Sequence, residues 1–353
     1  MRGWLAASAA ACLVLIACSE QDPSQATAPD APGAPALSVY RLGNITRAVP
    51  HPCPAAGSRQ FDFWVGKWDV IGKTGAHAAT SIISSEMDGC LVMEDYVQDN
   101  GVYNGRSLSV YDPNTGHWYQ TFVDDIIAGS YRLEGAFTGG SMVLSGSQPV
   151  YNFGTGTVQQ RDVTVTWTPL DGGRVRQRFD VSTDGGPVAT GFDGTYLPAE
   201  QLTRGSPIAY RFCTGAITQF QELNFWVGQW TVSADQTDLG TSEVRKDLNG
   251  CLIQEDFSTP KGYRSRSFSY FDFVVEKWFR TFADNTGQHF ELSGNVENGA
   301  MVMTGTATGP GGQPRAIRVT LAPDGSGGVR ETWERAGEGG AGWEQELVLG
   351  YRP

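Results

Sequence analysis

Histidine and cysteine are scarce in this chain of 353 residues: it has 4 histidines and 6 cysteines. The sequence also lacks a Gly-x-Ser-x-Gly elbow, a His-Glu-x-x-His pair, a phosphate-binding loop and any Cys-x-x-Cys spacing. Its Asp-rich turns do not follow the Asp-x-Asp-x-Asp-Gly spacing of calcium loops. These absences argue against the common hydrolases, zinc proteases, nucleotide-binding enzymes and calcium-binding loops. We therefore predict no cofactor and no metal site.

Positive charge is in deficit, since 26 Lys and Arg face 38 Asp and Glu, for a net charge of −12. Nucleic acids and anionic membrane surfaces are polyanions, so a protein of this charge repels both. No run of transmembrane length is present either. We expect no nucleic-acid partner, and any membrane contact should come from a lipid anchor. The sequence leaves a protein partner unknown.

The amino terminus predicts export. A basic start is followed by the apolar stretch 5–17, which ends in Leu-Ile-Ala-Cys at 15–18. This resembles the bacterial lipobox, which implies cleavage before Cys18 and a lipid on its sulfur. An ordinary secretory peptide or an uncleaved anchor is the alternative. We assign 1–17 to the signal peptide and 18–52 to a Pro/Ala-rich tether. With Ser19 next, the resemblance implies the outer membrane if the host has one.

The remainder of the chain is a tandem repeat. Phe-Trp-Val-Gly-Lys-Trp at 63–68 returns as Phe-Trp-Val-Gly-Gln-Trp at 225–230, and Asp-Gly-Cys-Leu-Val-Met-Glu-Asp at 88–95 returns as Asn-Gly-Cys-Leu-Ile-Gln-Glu-Asp at 249–256. Each copy has the usual size of one domain. We predict two domains of one fold, at 53–200 and 201–353.

Four cysteines remain after the amino-terminal region, two in each copy. Cys53 and Cys90 have nearly the same separation as Cys213 and Cys251, at equivalent places in the two copies. Exported proteins retain disulfides. Because the two pairs are equivalent, pairing within each copy is favoured over the other connectivities. Zinc binding by these four thiols is the rival interpretation.

Short alternating runs separated by Gly-rich turns predict antiparallel β structure. Val163, Val165 and Trp167 alternate with threonines, and Val175, Gln177, Phe179 and Val181 alternate with charged residues. We expect an all-β protein with about eight to ten strands in each copy. Closure into two tandem barrels would remove exposed sheet edges, and β-sandwiches are the alternative.

The Gly-x-Trp at 66–68, together with Arg176 on a late strand (Arg330 in the second copy), resembles the lipocalin and calycin pattern. That resemblance implies a closed barrel in which the indole packs beside the arginine. The segments 61–70, 88–90, 107–112 and 167–169 further resemble a duplicated bacterial family known mainly as a domain of unknown function. The second copy departs from this pattern at 223–224 and 321–323.

Polar residues that recur on strands in both copies are the candidate ligand-binding residues, because burying them without partners would be costly. The candidates are Glu94, Arg106, Ser107, Ser109, Thr121 and Arg176, with Glu255, Arg266, Ser267, Ser269, Thr281 and Arg330 in the second copy. A structural role is the alternative, with Glu94 or Asp95 paired to Arg106 and with Arg176 stacked on Trp68. No catalytic residue is assigned.

We expect a membrane-anchored, exported lipoprotein that binds a small apolar or amphipathic ligand in one or both barrels. The first alternative is a non-enzymatic envelope interaction module whose barrels are filled by their own side chains. The second is a calycin-type isomerase or hydratase, which would need a titratable pair such as Glu94 and Arg176 inside one cavity.

Overall fold

The computed structural model describes Ile45, Cys53, Pro207 and residues 55–126, 130–205, 212–308, 314–337 and 342–353. The signal peptide, Cys18 and nearly all of the tether that the sequence predicts lie outside these residues. Among the residues described, no helix has the length and apolar character needed to cross a membrane.

The first copy forms a closed barrel of ten antiparallel strands, in which each strand pairs with its neighbours in sequence and β1 closes on β10. The strands are β1 Gly66–Gly72, β2 His77–Glu86, β3 Leu91–Gln98, β4 Asn104–Asp112, β5 His117–Asp124, β6 Ser130–Thr138, β7 Ser141–Asn152, β8 Thr157–Leu170, β9 Arg174–Thr183 and β10 Ala189–Pro198. Closure leaves no unpaired sheet edge.

The second copy repeats this topology in a second closed barrel, where β11 closes on β20. Its strands are β11 Gly228–Ala234, β12 Thr237–Asp247, β13 Leu252–Ser258, β14 Arg264–Asp272, β15 Lys277–Asp284, β16 His289–Glu297, β17 Ala300–Thr308, β18 Pro314–Pro323, β19 Val329–Ala336 and β20 Trp343–Arg352. The prediction of two tandem antiparallel barrels is confirmed, and the β-sandwich alternative is wrong.

The helical segments are short turns. Those of the first copy are Ala56–Arg59, Asp62–Trp64, Met87–Gly89 and Asp171–Gly173, and those of the second are Phe212–Ala216, Thr218–Gln221, Asn224–Trp226 and Leu248–Gly250.

The alternation of β8 and β9 follows the predicted period of two. Val163, Val165 and Trp167 are buried inside the barrel, while the threonines between them are half-buried. Tight turns join the strands. After β4, the Gly116 amide donates to the carbonyl of Asp112 at 2.9 Å, with Gly116 at φ 73°. Such a positive φ favours glycine.

An aromatic cluster fills one end of the first barrel and explains its tryptophan motif. In the first barrel Phe61 lies 4.8 Å from Trp64, 5.5 Å from Trp118 and 5.2 Å from Trp167, between ring centroids. The Trp68 indole donates to the Trp64 carbonyl at 2.9 Å, and a Cβ on Gly66 would lie 3.2 Å from the Trp68 ring. The spacing of the motif therefore closes this end.

Each copy contains its own disulfide, Cys53–Cys90 in the first and Cys213–Cys251 in the second. Pairing within each copy is confirmed, so these four sulfurs are not zinc ligands. In the chain-entropy picture, a crosslink that closes a loop of 37 or 38 residues stabilises the fold by roughly 3 to 4 kcal/mol.

The two barrels pack together through equivalent faces. Leu91, Met93, Leu108, Val110 and Val123 point away from the interior of the first barrel and join one buried cluster with Leu252, Phe268, Tyr270 and Ala283 of the second. Thr121 and Thr281, which are equivalent residues of β5 and β15, meet with their hydroxyl oxygens 2.8 Å apart. The contact is therefore pseudo-two-fold and isologous.

Candidate ligand site in the first barrel

Six aromatic side chains surround the end of the first barrel opposite the tryptophan cluster. Five of them lie on the inward face of their strands, and Tyr103 packs against two of these, Tyr96 and Phe122, with ring centroids 6.0 and 6.2 Å away. This aromatic mouth consists of Tyr96, Tyr103, Phe122, Tyr131, Phe179 and Phe192, and each ring is half-buried. Each of these residues therefore keeps part of its surface in contact with solvent.

The equivalent end of the second barrel is closed. The counterparts of the aromatic mouth are Phe257, Tyr263, Phe282, Phe290, Trp333 and Leu347, all of them buried. Phe282 and Phe290 stack at 4.5 Å between centroids, and Phe290 lies 5.5 Å from Trp333. In the first barrel, Phe122 and Tyr131 are 6.3 Å apart. The same positions thus fill one barrel and leave the other accessible.

Two glycines explain part of this difference. A Cβ on Gly105 would lie 2.2 Å from the Phe122 ring, and a Cβ on Gly194 would lie 2.4 Å from the Phe192 ring. Both rings can therefore rest against the barrel wall. The second barrel has Ser265 and Leu349 at these positions. A side chain on the wall requires the neighbouring ring to project toward the centre.

The floor below the aromatic mouth is polar and centred on Glu94, which is 4% exposed. Glu94 accepts hydrogen bonds from Ser81 Oγ at 3.1 Å and Ser107 Oγ at 3.2 Å. The Tyr196 hydroxyl lies 3.5 Å from Glu94 Oε1 and also contacts Gln177 Oε1. Gln177 faces inward and is half-buried.

The carboxyl of Glu94 titrates near neutrality. Burial disfavours the carboxylate, and this effect outweighs the hydrogen bonds from Ser81 and Ser107, so the pKa of Glu94 rises to about 7. None of the ion pairs found among the described residues includes Glu94. The first barrel therefore holds a buried acid that is partly ionised at neutral pH, below a ring of half-buried aromatic residues.

The second barrel carries a built-in cation at the same place. Arg280 lies 2.6 Å from Glu255 and also pairs with Glu331, whose side chain is 1% exposed. Tyr351 donates to this acidic pair from the position equivalent to Tyr196. Burial raises the pKa of Glu255, and the Arg280 guanidinium opposes that shift.

The space left beside this ion triad is small. A cavity of about 10 Å³ is lined by Trp226, Ser269, Arg280 and neighbouring apolar side chains. That volume accommodates about one water molecule. The Trp226 indole nitrogen and the Ser269 hydroxyl have no hydrogen-bond partner among the described residues. The second barrel is thus filled to within a single water at this floor.

The predicted ligand-binding residues separate into three groups. Glu94, Ser107 and Ser109, with Glu255, Ser267 and Ser269, face the barrel interiors. Arg106, Thr121, Arg266 and Thr281 point outward into the contact between the barrels. There Arg106 pairs with Asp95 and with Asp247. The pair with Asp95 is one that the structural alternative expected. The structure therefore does not bring Arg106 or Thr121 to the floor around Glu94.

Arg176 and Arg330 lie on the outer surface. Arg176 pairs with Asp193 at 2.6 Å, and Arg330 is exposed. The expected packing of Arg176 on Trp68 is wrong, because neighbouring strand residues alternate faces and inward-pointing Val175 and Gln177 flank it. The Trp68 ring instead packs on Tyr196, 6.1 Å away. The titratable pair of Glu94 and Arg176 that an enzyme was expected to need is therefore not assembled.

Several residues of the chamber were not predicted from the sequence. Gln120, Gln177 and Tyr196 belong to the floor, and none of the six mouth aromatics was among the predicted binding residues. A comparison of the copies at interior positions could have found the floor, because Gln120 aligns with Arg280 and Gln177 aligns with Glu331. The charge difference at two inward positions was the available signal.

Two polar clefts lie outside the barrels. One, of about 480 Å³, is lined by Asp69, His77, Asp99 and Arg204, and hydrogen bonds to Asp99 and Asp69 raise the pKa of His77. The other, of about 510 Å³, lies beside Glu86 and Arg266 at the contact of the barrels. Across the described ranges, no group of three or more His, Cys, Asp or Glu side chains could hold a metal ion.

Comparisons with known proteins give little. No family model matches the chain, and no curated protein matches it. Among solved structures, it is similar to the crystal structure of the isotype 1 transferrin binding protein B from serogroup B Neisseria meningitidis, at 6% identity and a TM-score of 0.19. The match covers 75% of this chain and 66% of the neisserial chain, just under two thirds of its length. Likeness at that TM-score carries no inference.

Proposed function

We propose that the first barrel binds a small amphipathic ligand, with its apolar part against the aromatic mouth and its polar group at Glu94. One observation carries this proposal: the six mouth side chains are half-buried in the first barrel, and their six counterparts are buried in the second. Binding chambers are mostly apolar, with few polar groups that orient the ligand. Here the aromatic mouth supplies the apolar surface, and the Glu94 floor supplies the few polar groups.

The second barrel has a different role in this proposal. Its ion-paired floor and closed mouth leave about 10 Å³ beside Arg280, so it acts as a filled module that supports the first barrel. The expectation of a filled interaction module therefore applies to the second copy.

We also propose that the chain is an exported lipoprotein anchored through Cys18. The two disulfides support an oxidising compartment. In a host that processes lipoproteins, Cys18→Ala should abolish acylation and move the protein from the detergent phase to the aqueous phase on Triton X-114 partition. An unchanged partition would contradict the anchor.

Binding can be tested on the soluble region from Ser19 onward, purified from an oxidising periplasm. Native mass spectrometry should show an extractable small molecule, or the protein should bind the neutral fluorophore N-phenyl-1-naphthylamine at about one equivalent per chain. Gly105→Ser places a side chain behind Phe122 and should weaken binding at least about tenfold.

Ser265→Gly is the matched control, because it exchanges the same residue pair in the second barrel, and binding should persist. If the purified protein carries no ligand and does not bind the fluorophore, the chamber is not a binding site. Binding that Gly105→Ser leaves unchanged would place the ligand elsewhere.

A further inference from the structure

The floor of the first barrel lacks two charged groups of the second, because Gln120 stands at the position of Arg280 and Gln177 at that of Glu331. In the second barrel the Arg280 guanidinium contacts Glu255 and Glu331, and its Nε donates to Ser267 Oγ at 3.1 Å. The guanidinium carbon lies 4.7 Å from the centroid of the Trp226 ring. Two carboxylates, a hydroxyl and an aromatic face thus enclose the positive charge.

The first barrel has retained most of this enclosure without the cation. Glu94, Ser107 and Trp64 are the counterparts of Glu255, Ser267 and Trp226, while Gln120 replaces Arg280. The Gln120 amide donates to Ser109 Oγ at 2.9 Å, so it does not take the place of the guanidinium beside Glu94. The Trp64 indole nitrogen has no hydrogen-bond partner among the described residues.

We propose that the ligand of the first barrel is an organic cation, an amine or guanidinium on an apolar body, whose positive group occupies the place that Arg280 fills in the second barrel. This inference rests on the proposed binding function and specifies its ligand class. Glu94 supplies the charge partner, and the Gln177 carbonyl oxygen and Tyr196 hydroxyl lie beside it as acceptors.

Charge complementarity supports a cation over an anion at this floor. A buried carboxylate without a partner is unfavourable, and a bound cation restores the pairing that the second barrel has internally. Binding should then favour the ionised form of Glu94, whose pKa is about 7 in the unliganded barrel. The affinity for a permanently protonated amine should therefore rise with pH through neutrality.

The other titratable groups near Glu94 leave this pH dependence to Glu94 itself. The nearby groups are Tyr96, Tyr103, Tyr196 and Asp95. Burial raises the pKa of each tyrosine, so all three are neutral near pH 7. Burial acts to raise the pKa of Asp95 as well, but Arg204 and Arg106 outweigh it, so Asp95 remains ionised.

The test compares three probes with the same ten-carbon chain: n-decylammonium, n-decanol and n-decanoate. Each is titrated against the soluble region, from Ser19 onward, loaded with N-phenyl-1-naphthylamine. Decylammonium should displace the fluorophore at least about tenfold better than decanol, and decanoate should be the weakest. The affinity of decylammonium should rise about tenfold from about pH 6 to about pH 8. This is the change in the ionised fraction of an acid of pKa near 7.

Glu94→Gln keeps the size of the side chain and removes the charge. It should lower decylammonium affinity at least about tenfold, abolish the pH dependence and leave decanol within about twofold. Gln120→Arg, which supplies the second barrel's cation to the first, is the second variant and should exclude decylammonium. Glu255→Gln in the second barrel is the control and should leave all three affinities unchanged.

The outcomes separate the two proposals. Equal binding of decylammonium and decanol, with no effect of Glu94→Gln, would overturn the cationic ligand and leave the binding chamber standing. Both proposals would be overturned if none of the three probes displaced the fluorophore and if Gly105→Ser also left the fluorophore bound.

Discussion

The hydroxyl oxygen of Thr121 lies 2.8 Å from that of Thr281, its own counterpart in the second repeat. Paired contacts flank this point on both sides. Arg106 pairs with Asp247 as Arg266 pairs with Glu86, and Asn249 contacts Asp125 as Asn285 contacts Asp88. Each contact is thus made twice with the roles of the copies exchanged, as in the interface of a homodimer.

Removing the paired arginines should loosen this contact without affecting binding. Arg106→Ala and Arg266→Ala each delete a half-buried ion pair across the interface, so each should lower the free energy of unfolding by about 1 kcal/mol. Urea denaturation measures the loss, and fluorophore binding should be unchanged. A loss of binding with unchanged stability would instead assign these arginines to the ligand site.

The ion triad of the second barrel should depend on its central cation. Arg280→Gln leaves Glu255 and Glu331 buried and facing each other, and the loss of one partner of a buried pair typically costs about 3 to 5 kcal/mol. The double variant Arg280→Gln with Glu331→Gln reproduces the floor of the first barrel and should recover most of the stability. If calorimetry showed the same loss of stability in the single and the double variant, the role of Arg280 as the partner of both carboxylates would be contradicted.

The pH dependence of stability should reveal Glu94. Its folded-state pKa, about 7, is raised above the value of 4.5 for an exposed glutamate. The stability it contributes is therefore complete below about pH 4.5 and is lost as the pH rises through about 7. Glu94→Gln should match the wild type near pH 4 and be more stable near pH 8, by up to about 3 kcal/mol.

The exposed Glu200→Gln is a control for that experiment and should leave the pH profile unchanged. Identical pH profiles of wild type and Glu94→Gln between pH 5 and 8 would show that Glu94 is ionised in the folded protein throughout.

The disulfides should stabilise each copy to a similar extent. Replacing Cys53 and Cys90 by serine opens a loop of 37 residues, and replacing Cys213 and Cys251 opens one of 38. Each double replacement should lower the free energy of unfolding by about 3 to 4 kcal/mol. Denaturation without reductant measures this loss. When the same denaturation is repeated in dithiothreitol, the wild type and both variants should have the same free energy of unfolding. A remaining difference would point to an effect of the serines themselves.

The fold was predictable because it depends on local patterns. Alternation along β8 and β9, Gly-rich turns and the repeated tryptophan motif were sufficient to predict two barrels of about eight to ten strands each. The equivalent cysteine positions in the two copies predicted their disulfides. The same alternation could have shown that Arg176 faces outward, since it sits between the inward residues Val175 and Gln177. The family resemblance instead favoured an arginine beside Trp68.

The interface and the open mouth were not predictable in this way. Thr121 lies on the outer face because Gln120 and Phe122 point inward, and nothing local indicates that a second barrel covers that face. Whether Phe122 lies on the wall or in the centre depends on Gly105, which is its neighbour in space on β4. Such pairs become visible only once the strand register is known.

The isologous contact has a consequence for the first repeat in isolation. Without the second barrel, Leu91, Met93, Leu108, Val110 and Val123 would be exposed together, and Thr121 would face water. Two first repeats would meet through this apolar face only in a weak, concentration-dependent dimer, because two Asp88–Asp125 contacts would replace the Asn–Asp contacts of the fused chain. Fusion replaces this concentration-dependent assembly with an intramolecular one at high effective concentration. The second repeat thus remains a permanent partner for the apolar face of the first.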